Sequence, residues 1–365
     1  MIQQPVVLSP RSARAGGQRL KIEDRKSRIG SRMLFAASAR LLVLAFCISP
    51  LFSMGDSERD GRWAILLVGA SGEPGLQEIY MKEIEELHSV LQESFGFPRE
   101  QIFVLFDNPS IDPDLIRYKA TRENLQAVCN KLAGRVKRDD LVFVFIEGHG
   151  SFDGEIYKFN MVGPDPDAEL MAAMLYSIPA HRFIVMNATN SSGGSIPAFS
   201  QEGKIVITAT KSGREGNLTH IGRFFVDAFK ENAADSDKDG RVSILEAFSY
   251  ASYRVKEYYE SERNLQTEHP VLDDNGDGAA QSQPGPENGD GFLARITYLD
   301  AGVAALAQNE QTPERLELVR EAQELERQIE ALKYAKGELP EAEYEKKLEE
   351  LLLKLARINL ELRTK

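Results

Sequence analysis

The sequence predicts an α/β protein, a three-layer α/β/α sandwich built on a mostly parallel sheet and followed by a C-terminal α-helical coiled-coil hairpin. Three observations support this prediction: apolar runs without polar alternation, amphipathic helical patterns between them, and a change of composition beyond residue 300. Continuous apolar runs are typical of strands covered on both faces, as in a parallel sheet between two helical layers. With 365 residues, the chain exceeds the length of one average domain.

Five apolar runs are predicted to be the strands of this sheet. They lie at 62–70, 101–107, 140–148, 182–188 and 204–210. Between the first two runs, the stretch 78–97 repeats apolar residues at helical spacing and stops at Gly96, which is typical of an amphipathic helix. The segment 291–299 is a candidate edge strand, and residues 56–300 are assigned to one α/β domain.

The composition argues against two classes of partner. The net charge is −12, and the contents of 42% hydrophobic and 27% charged residues are ordinary for a folded protein with a sizeable core. Nucleic acids and anionic membrane surfaces require a surplus of Lys and Arg, so neither is expected as the main partner. The acid-rich loops are instead suited to attract cations.

The first 55 residues are predicted to be an N-terminal extension with a signal peptide. Residues 1–32 contain eight Lys or Arg and two acidic residues, and an apolar segment follows. Its uninterrupted part, 41–54, is short for a membrane span, and the small residues near 53–55 suit a cleavage site. We therefore expect a secreted or periplasmic protein; the alternative interpretation is an uncleaved signal that anchors the chain in a membrane.

Beyond that segment the chain contains one cysteine, Cys129. It shares a helical stripe with Leu125 and Leu132, so it is predicted to be a small apolar residue of the core. Because one cysteine provides no disulfide framework, stability outside the cell must come from the core or from bound ions.

Residues 301–365 are predicted to form an antiparallel coiled-coil hairpin. Apolar residues recur at spacings of four and three on both sides of a turn at 336–340. The stripe residues are Leu318, Ala322, Leu325, Ile329, Leu332, Tyr344, Leu348, Leu351, Leu355, Ile358 and Leu362. Such a hairpin is typical of an interaction arm, and self-association is one expected use.

Two of the predicted strands end in turns that carry reactive or polar side chains. The third run ends in Gly148, His149 and Gly150, and the fourth runs into the turn 187–194, with the sequence NATNSSGG. In an open parallel sheet, ligands and reacting groups collect beyond the carboxyl ends of the strands. The two turns therefore predict a site at one edge of the sheet.

These turns resemble the catalytic motifs of the caspase and legumain superfamily of cysteine peptidases, and the resemblance covers about residues 62–300. Members of that superfamily carry a histidine in a Gly-His-Gly-type turn after one strand and a cysteine in the turn after the next. The resemblance implies hydrolysis of peptide bonds by a thiolate that His149 assists. It also implies that the backbone N–H of Gly150 donates to the oxyanion.

The sequence departs from the superfamily at the nucleophile. Alignment of the strand ends places Thr189 at the position of the cysteine, and alignment of the glycine pair places Asn190 there. Neither residue carries sulfur, and a hydroxyl needs a stronger base than a thiol does. The first hypothesis is therefore a catalytically degenerate module that binds a peptide or a protein.

The alternative hypothesis is an active peptidase or other hydrolase in which His149 activates a hydroxyl of the second turn. The candidate nucleophiles are Thr189, Ser191 and Ser192. These residues also have a plainer interpretation, since hydroxyls stabilise tight turns and a histidine between glycines can order a loop. A third and weaker hypothesis is a nucleotide-dependent enzyme that uses the glycine turn 69–75, where an acidic residue and a proline are unfavourable for phosphate.

The most specific motif is an EF-hand type of calcium loop at 235–246, DSDKDGRVSILE. Its predicted ligands, at positions one, three, five, seven, nine and twelve, are Asp235, Asp237, Asp239, Arg241, Ser243 and Glu246. Arg241 would contribute its carbonyl, Ser243 would act through water, and Glu246 would offer both carboxylate oxygens. Amphipathic helical patterns flank the loop, so the sequence predicts a bound Ca²⁺ ion.

A second, weaker calcium site is predicted in the long loop 273–290. Asp273, Asn275 and Asp277 repeat the first half of the pattern, but Pro284 stands at the twelfth position. Without a closing glutamate, a group from elsewhere in the fold must complete the shell. In an exported protein, millimolar calcium outside the cell would fill even a modest site.

Overall fold

The computed structural model describes residues 61–230, 233–238, 240–300, 313–334 and 339–364. The predicted signal peptide at 1–55, with its alternative as a membrane anchor, lies outside the described residues, and so does Asp239. Within the described ranges, no helix combines the length and the apolar character needed to cross a membrane.

A seven-stranded sheet forms the centre of the α/β domain. Its strands are β1 Arg62–Val68, β2 Ile102–Phe106, β3 Tyr118–Lys119, β4 Leu141–Glu147, β7 Arg182–Asn187, β8 Lys204–Thr208 and β9 Val271–Asp273, in the order β3-β2-β1-β4-β7-β8-β9. All neighbouring strands are parallel except β8 and β9. A separate antiparallel hairpin consists of β5 Gly150–Phe152 and β6 Tyr157–Phe159. The five predicted runs coincide with β1, β2, β4, β7 and β8, so the mostly parallel sheet is confirmed.

Helices cover both faces of this sheet. They are α1 Pro74–Ser89, α2 Arg122–Ala133, α3 Ala168–Leu175, α4 Ile196–Phe199, α5 Ile221–Ala228, α6 Ile244–Ser261, α7 Phe292–Arg295, α8 Pro313–Tyr334 and α9 Glu341–Thr364. A π-helical turn at Val90–Ser94 follows α1, and 3-10 turns lie at Arg99–Gln101 and Ser192–Ser195. Side chains fix two of the starts, since Thr121 and Asp167 accept backbone N–H groups in the first turns of α2 and α3.

Alternate residues of β1 belong to two hydrophobic cores, one on each face of the sheet. Leu66 packs in the core that includes α1, α5 and α6, and Ile65 packs in the core that includes α2 and α3. Every residue of β1 is buried, which explains why its apolar run does not alternate. Cys129 lies in the second core, as predicted, and burial raises the pKa of its thiol to about 12.

The candidate edge strand at 291–299 is not formed. This segment begins with α7, and the antiparallel edge strand is β9 instead. The carboxylate of Asp274 accepts the backbone N–H groups of Gly291 and Ala294, each at 2.7 Å, and these bonds stabilise the short helix. The capping group lies far from the helix in the sequence, so the local pattern does not reveal it.

The predicted C-terminal hairpin is formed by α8 and α9. Ala322 and Leu325 are buried against Ile358 and Leu362. The middle of α8 thus packs against the second half of α9, and the two helices form the hairpin. The predicted boundary between the two domains, at residues 300 and 301, stays a prediction because 301–312 lie outside the described residues.

Candidate functional site

The two turns that the sequence singles out lie side by side at one edge of the sheet. Strands β4 and β7 are parallel neighbours, and Ile146 is opposite Asn187 in their register. The chain therefore leaves both strands at the same level. His149 and Gly150 follow β4, and Thr189 and Asn190 follow β7, so the predicted convergence at this edge is present.

The side chain of Asn190 joins the two turns. Its Oδ1 accepts the backbone N–H of Gly150 at 3.0 Å, and its Nδ2 donates to the carbonyl of Gly150 at 3.0 Å. The same Nδ2 also donates to the carbonyl of Gly216, again at 3.0 Å, in the loop after β8. The N–H of Gly150, which the peptidase resemblance assigns to an oxyanion, thus already has an acceptor.

Thr189 is fully buried beneath this bridge. Its hydroxyl lies 2.6 Å from the hydroxyl of Tyr157 and donates to Oδ1 of Asn187 at 2.9 Å. Burial raises the pKa of Tyr157 to about 12, so the phenol stays neutral and is no general base. A hydroxyl enclosed in this way cannot reach a substrate.

Ser191 and Ser192 are also buried and belong to the turn. The backbone of Ser191 has a left-handed conformation, with φ of 59°, and its N–H donates to the carbonyl of Glu215 at 2.8 Å. The hydroxyl of Ser192 lies 3.3 Å from that of Thr210 and accepts its backbone N–H at 3.2 Å. Both serines therefore stabilise the packing of the turn against the loop after β8.

His149 is the partly exposed member of the constellation. Its ring meets the ring of Tyr80 edge-on, with 6.4 Å between the centroids. Its imidazole makes no hydrogen bond with any described residue, so no carboxylate orients it as the third member of a triad. The ring nitrogens remain available to a ligand.

A carboxyl pair, the buried Glu147 and the half-buried Glu83, lies next to the first turn, and sequence reasoning missed it. Glu147 ends β4 with 3% of its surface exposed, and its Oε1 accepts the N–H of Gly148 at 3.0 Å. Burial and the neighbouring Glu83 raise the pKa of Glu147 well above its usual range. Burial likewise raises the pKa of Glu83 to about 7. The one signal in the sequence was an acidic residue at the end of an otherwise apolar run.

The loop 235–246 has the geometry of a cation site. One carboxylate oxygen each from Asp235, Asp237 and Glu246 lie within 4.8 Å of one another. The N–H of Gly240 donates to Oδ2 of Asp235 at 3.0 Å, which closes the turn between the first and sixth positions. Hard carboxylate oxygens at this separation fit Ca²⁺, which takes six to eight such ligands.

Glu246 also caps the helix that follows the loop. Ser243 and Glu246 form a capping box at the start of α6, with the N–H of Ser243 donating to Oε2 of Glu246 at 3.0 Å. Oε1 accepts the N–H of Ser236 at 2.9 Å. Burial raises the pKa of Glu246, but hydrogen bonds from Ser243 and Ser236 outweigh it, so the net shift is downward and the carboxylate stays charged.

The other predicted ligands of this loop have different surroundings. The side chain of Arg241 forms a bidentate ion pair with Asp300 and lies over the ring of Tyr298, 3.7 Å from its centroid. Its carbonyl is the group that the calcium pattern requires, so this pairing does not compete. Ser243 acts as the helix cap, and Asp239 lies outside the described residues.

In the loop 273–290, acidic side chains accept hydrogen bonds from backbone N–H groups of the same loop. The carboxylate of Asp273 is fully buried and accepts the N–H groups of Gly276 at 2.9 Å and Gly278 at 2.7 Å. Asp277 and Asn275 are exposed or partly exposed, and their oxygens accept backbone N–H groups within the same turn. The weaker calcium site stays a prediction, and these contacts give the loop a structural role that needs no ion.

Comparison with known proteins finds similarity at low sequence identity. No family model matches the sequence, and no curated protein matches it. A structural-genomics protein from Geobacter sulfurreducens is 10% identical over 66% of this chain and 99% of its own, with a TM-score of 0.41. The initiator caspase Dronc of Drosophila is 13% identical over 59% of this chain and 79% of its own, with a TM-score of 0.36.

A third solved structure, Raptor from Chaetomium thermophilum, is 11% identical over 74% of this chain, with a TM-score of 0.33. The match spans 34% of that protein, so this chain corresponds to about a third of its length. All three TM-scores are below 0.5. The similarities assign neither a family nor an activity to this chain.

Proposed function

We propose that this protein is a catalytically degenerate caspase- or legumain-like module that binds a peptide or a protein at the edge of its sheet. The main support is the side chain of Asn190, which one of the two alignments places at the position of the nucleophile. It engages both polar groups of the Gly150 backbone, including the N–H that an oxyanion would need. A thiol at this position would leave that donor open to substrate.

The surroundings of the other candidates support the same proposal. The hydroxyls of Thr189 and Ser192 are buried and hydrogen-bonded to neighbouring side chains. Cys129 is the one free cysteine among the described residues, and it lies buried in α2 with a raised pKa. The competing hypothesis, a hydrolase with a Thr or Ser nucleophile, would have to break this network before each reaction.

A binding role agrees with the surface of the edge. His149 is partly exposed and free of hydrogen bonds to described residues, and it lies beside the exposed turn at Gly72. Leu218, in the loop after β8, exposes 41% of its surface, and Ile156, between β5 and β6, exposes 46%. An exposed imidazole and exposed apolar side chains in the loops at this edge are groups that an extended peptide can contact.

The proposal includes Ca²⁺ at the loop 235–246. The ion would be held by Asp235, Asp237 and Glu246 and would join the start of α6 to the segment before it. This support would take the place of the disulfides that an exported protein commonly has. Export and cleavage of the signal remain part of the same proposal.

The proposal assigns self-association to the hairpin. Helix α9 has an apolar face outside its contact with α8, where Leu352, Leu353 and Leu360 expose 46%, 53% and 63% of their surfaces. A second copy of the hairpin offers an identical face, as a two-fold symmetric pair requires. Leu348, Leu352 and Leu353 line a groove on this face.

Peptide binding and cleavage are tested together with a broad library of unstructured peptides. The full chain is incubated with the library with and without calcium, bound peptides are recovered by affinity capture, and products are identified by mass spectrometry. We expect bound peptides and no products, with binding weakened in His149→Ala and unchanged in His181→Ala, a matched variant at an exposed histidine. Products that depend on His149 would support the hydrolase instead. If the protein neither binds nor cleaves any peptide, both hypotheses are rejected.

A further inference from the structure

A cavity of about 350 Å³ lies against the loop 235–246. Its lining residues are distant in the sequence from the two turns at the sheet edge. One part of its lining is acidic and consists of Asp235, Asp237 and Glu246. Another part is aromatic and consists of Tyr250, Tyr253 and Tyr298. Cavities of a few hundred Å³ with a largely apolar wall and a few charged groups are the usual form of small-molecule sites.

Arg295 lines the same cavity, at the end of α7. Its Nε is buried and has no hydrogen-bond partner among the described residues. A desolvated donor of a charged group is unfavourable without an acceptor, so a partner outside the chain is indicated. Guanidinium groups pair best with carboxylates and phosphates, which accept two parallel N–H bonds.

The neighbouring Arg241, unlike Nε of Arg295, has hydrogen-bond acceptors among the described residues. It makes its ion pair with Asp300 through Nε at 3.1 Å and Nη2 at 2.7 Å, and it stacks on Tyr298. Tyr298 lines the same cavity as Arg295. Arg241 has a carboxylate partner, and Arg295 has none among the described residues.

The acidic part of the lining determines when an anion can enter. Three carboxylates repel an anion next to Arg295, and the two positive charges of a calcium ion would offset most of that repulsion. Binding of the ion and binding of the anion would therefore favour each other.

We propose that this cavity binds a small ligand with a carboxylate or phosphate group on an apolar body, and that it does so only when calcium occupies the loop 235–246. The anionic group contacts Arg295, and the apolar body packs on the tyrosines. The inference rests on the calcium part of the proposed function and is independent of the sheet edge.

The test uses the full chain and isothermal titration calorimetry. Calcium is titrated first, and benzoate, phenyl phosphate and the neutral benzamide are then titrated in calcium and in chelator. We expect at least one of the two anions to bind about tenfold or more tightly in calcium than in chelator, and more tightly than benzamide. The stronger of the two anions identifies the preferred head group.

Arg295→Gln should abolish binding of the anion and leave calcium binding and the chelator-state melting temperature unchanged, whereas the remote exposed Arg138→Gln should change neither. If calcium binds and no anion follows, or if anion binding survives chelation or Arg295→Gln, the inference is wrong while the calcium site stands. If calcium does not bind in the first titration, the calcium part of the proposed function and this inference both fail.

Discussion

The turn after β7 and the loop 235–246 are both polar segments matched to known motifs, and they differ in the charge that they bring together. In the turn, Thr189, Asn190 and Ser192 have partners within the chain. In the loop, oxygens of Asp235, Asp237 and Glu246 converge within 4.8 Å, so like charges are held together. The polar groups of the turn are paired with one another, whereas the loop brings together negative charges that a bound cation would offset. A motif therefore predicts a location, and the surroundings of its polar groups indicate which chemistry to test there.

The largest expected effect on stability concerns the loop 235–246. Calcium at about 100 times its Kd should stabilise the wild-type chain by about 2.7 kcal/mol. Glu246→Gln keeps a residue that can serve in the capping box but removes the charge, so most of this gain should disappear. The measurement is the free energy of unfolding in calcium and in chelator.

Glu260→Gln serves as the control, because Glu260 is exposed on the last turns of α6. It should keep the whole calcium-dependent gain. An equal loss of stability in calcium and in chelator for Glu246→Gln would show that the carboxylate acts only as a helix cap.

In the turn after β7, Asn190→Ala should destabilise the protein by about 1–3 kcal/mol. The variant removes the hydrogen bonds that join this turn to the turn at Gly150. Chemical denaturation measures this change. Asn130→Ala, at an exposed asparagine of α2, should cost less than about 0.5 kcal/mol. Equal stability of the two variants would mean that the bridge at Asn190 is not a structural closure.

The carboxyl pair of Glu83 and Glu147 predicts an unusual dependence of stability on pH. The pKa of Glu83 is raised from 4.5 to about 7, so the folded chain binds more protons than the unfolded chain between these values. Stability from this source is therefore greatest below about pH 4.5 and falls as the pH rises through about 7.

Glu147→Gln removes one of the two interacting charges and keeps an oxygen for the N–H of Gly148. The loss of stability between about pH 5 and pH 8 should become smaller, as measured by denaturation at a series of pH values. Glu85→Gln, at an exposed position of α1, should keep the dependence of stability on pH that the wild type has. If the dependence of stability on pH is unchanged in Glu147→Gln, the carboxyl pair is not its cause.

The smallest effect on stability concerns the hairpin. Leu353→Glu and Leu360→Glu change exposed residues and should alter the free energy of unfolding by less than about 0.5 kcal/mol. They should nevertheless convert a dimer into a monomer in light scattering coupled to size exclusion. A wild-type chain that is already monomeric at high concentration would contradict self-association.

The sequence predicted the elements whose causes are local. Apolar runs located β1, β2, β4, β7 and β8, and the spacing of leucines located α8 and α9. The convergence of Asp235, Asp237 and Glu246 is also local, because these residues lie within twelve positions of the chain; the calcium site itself stays a prediction. Thr121 and Asp167 start their helices by bonds that span three residues.

Features that depend on contacts between distant segments were missed. The bridge from Asn190 to Gly150 spans 40 residues, and the hydroxyl pair of Tyr157 and Thr189 spans 32. The candidate strand at 291–299 was wrong because Asp274, from another part of the chain, caps a helix there. Periodicity and motifs carry no information about such partners, which the packing of the sheet selects.

The central claim, that the sheet edge has no working nucleophile, is tested most directly by electrophilic labelling. The full chain is incubated with a reactive phosphonate and, separately, with an alkylating thiol reagent, and intact mass and peptide mapping locate any adduct. The account predicts no adduct at Thr189, Ser191 or Ser192 and no alkylation of Cys129 until the protein is unfolded. A stoichiometric adduct on one of the three hydroxyls in the folded wild type, lost in His149→Ala, would contradict it.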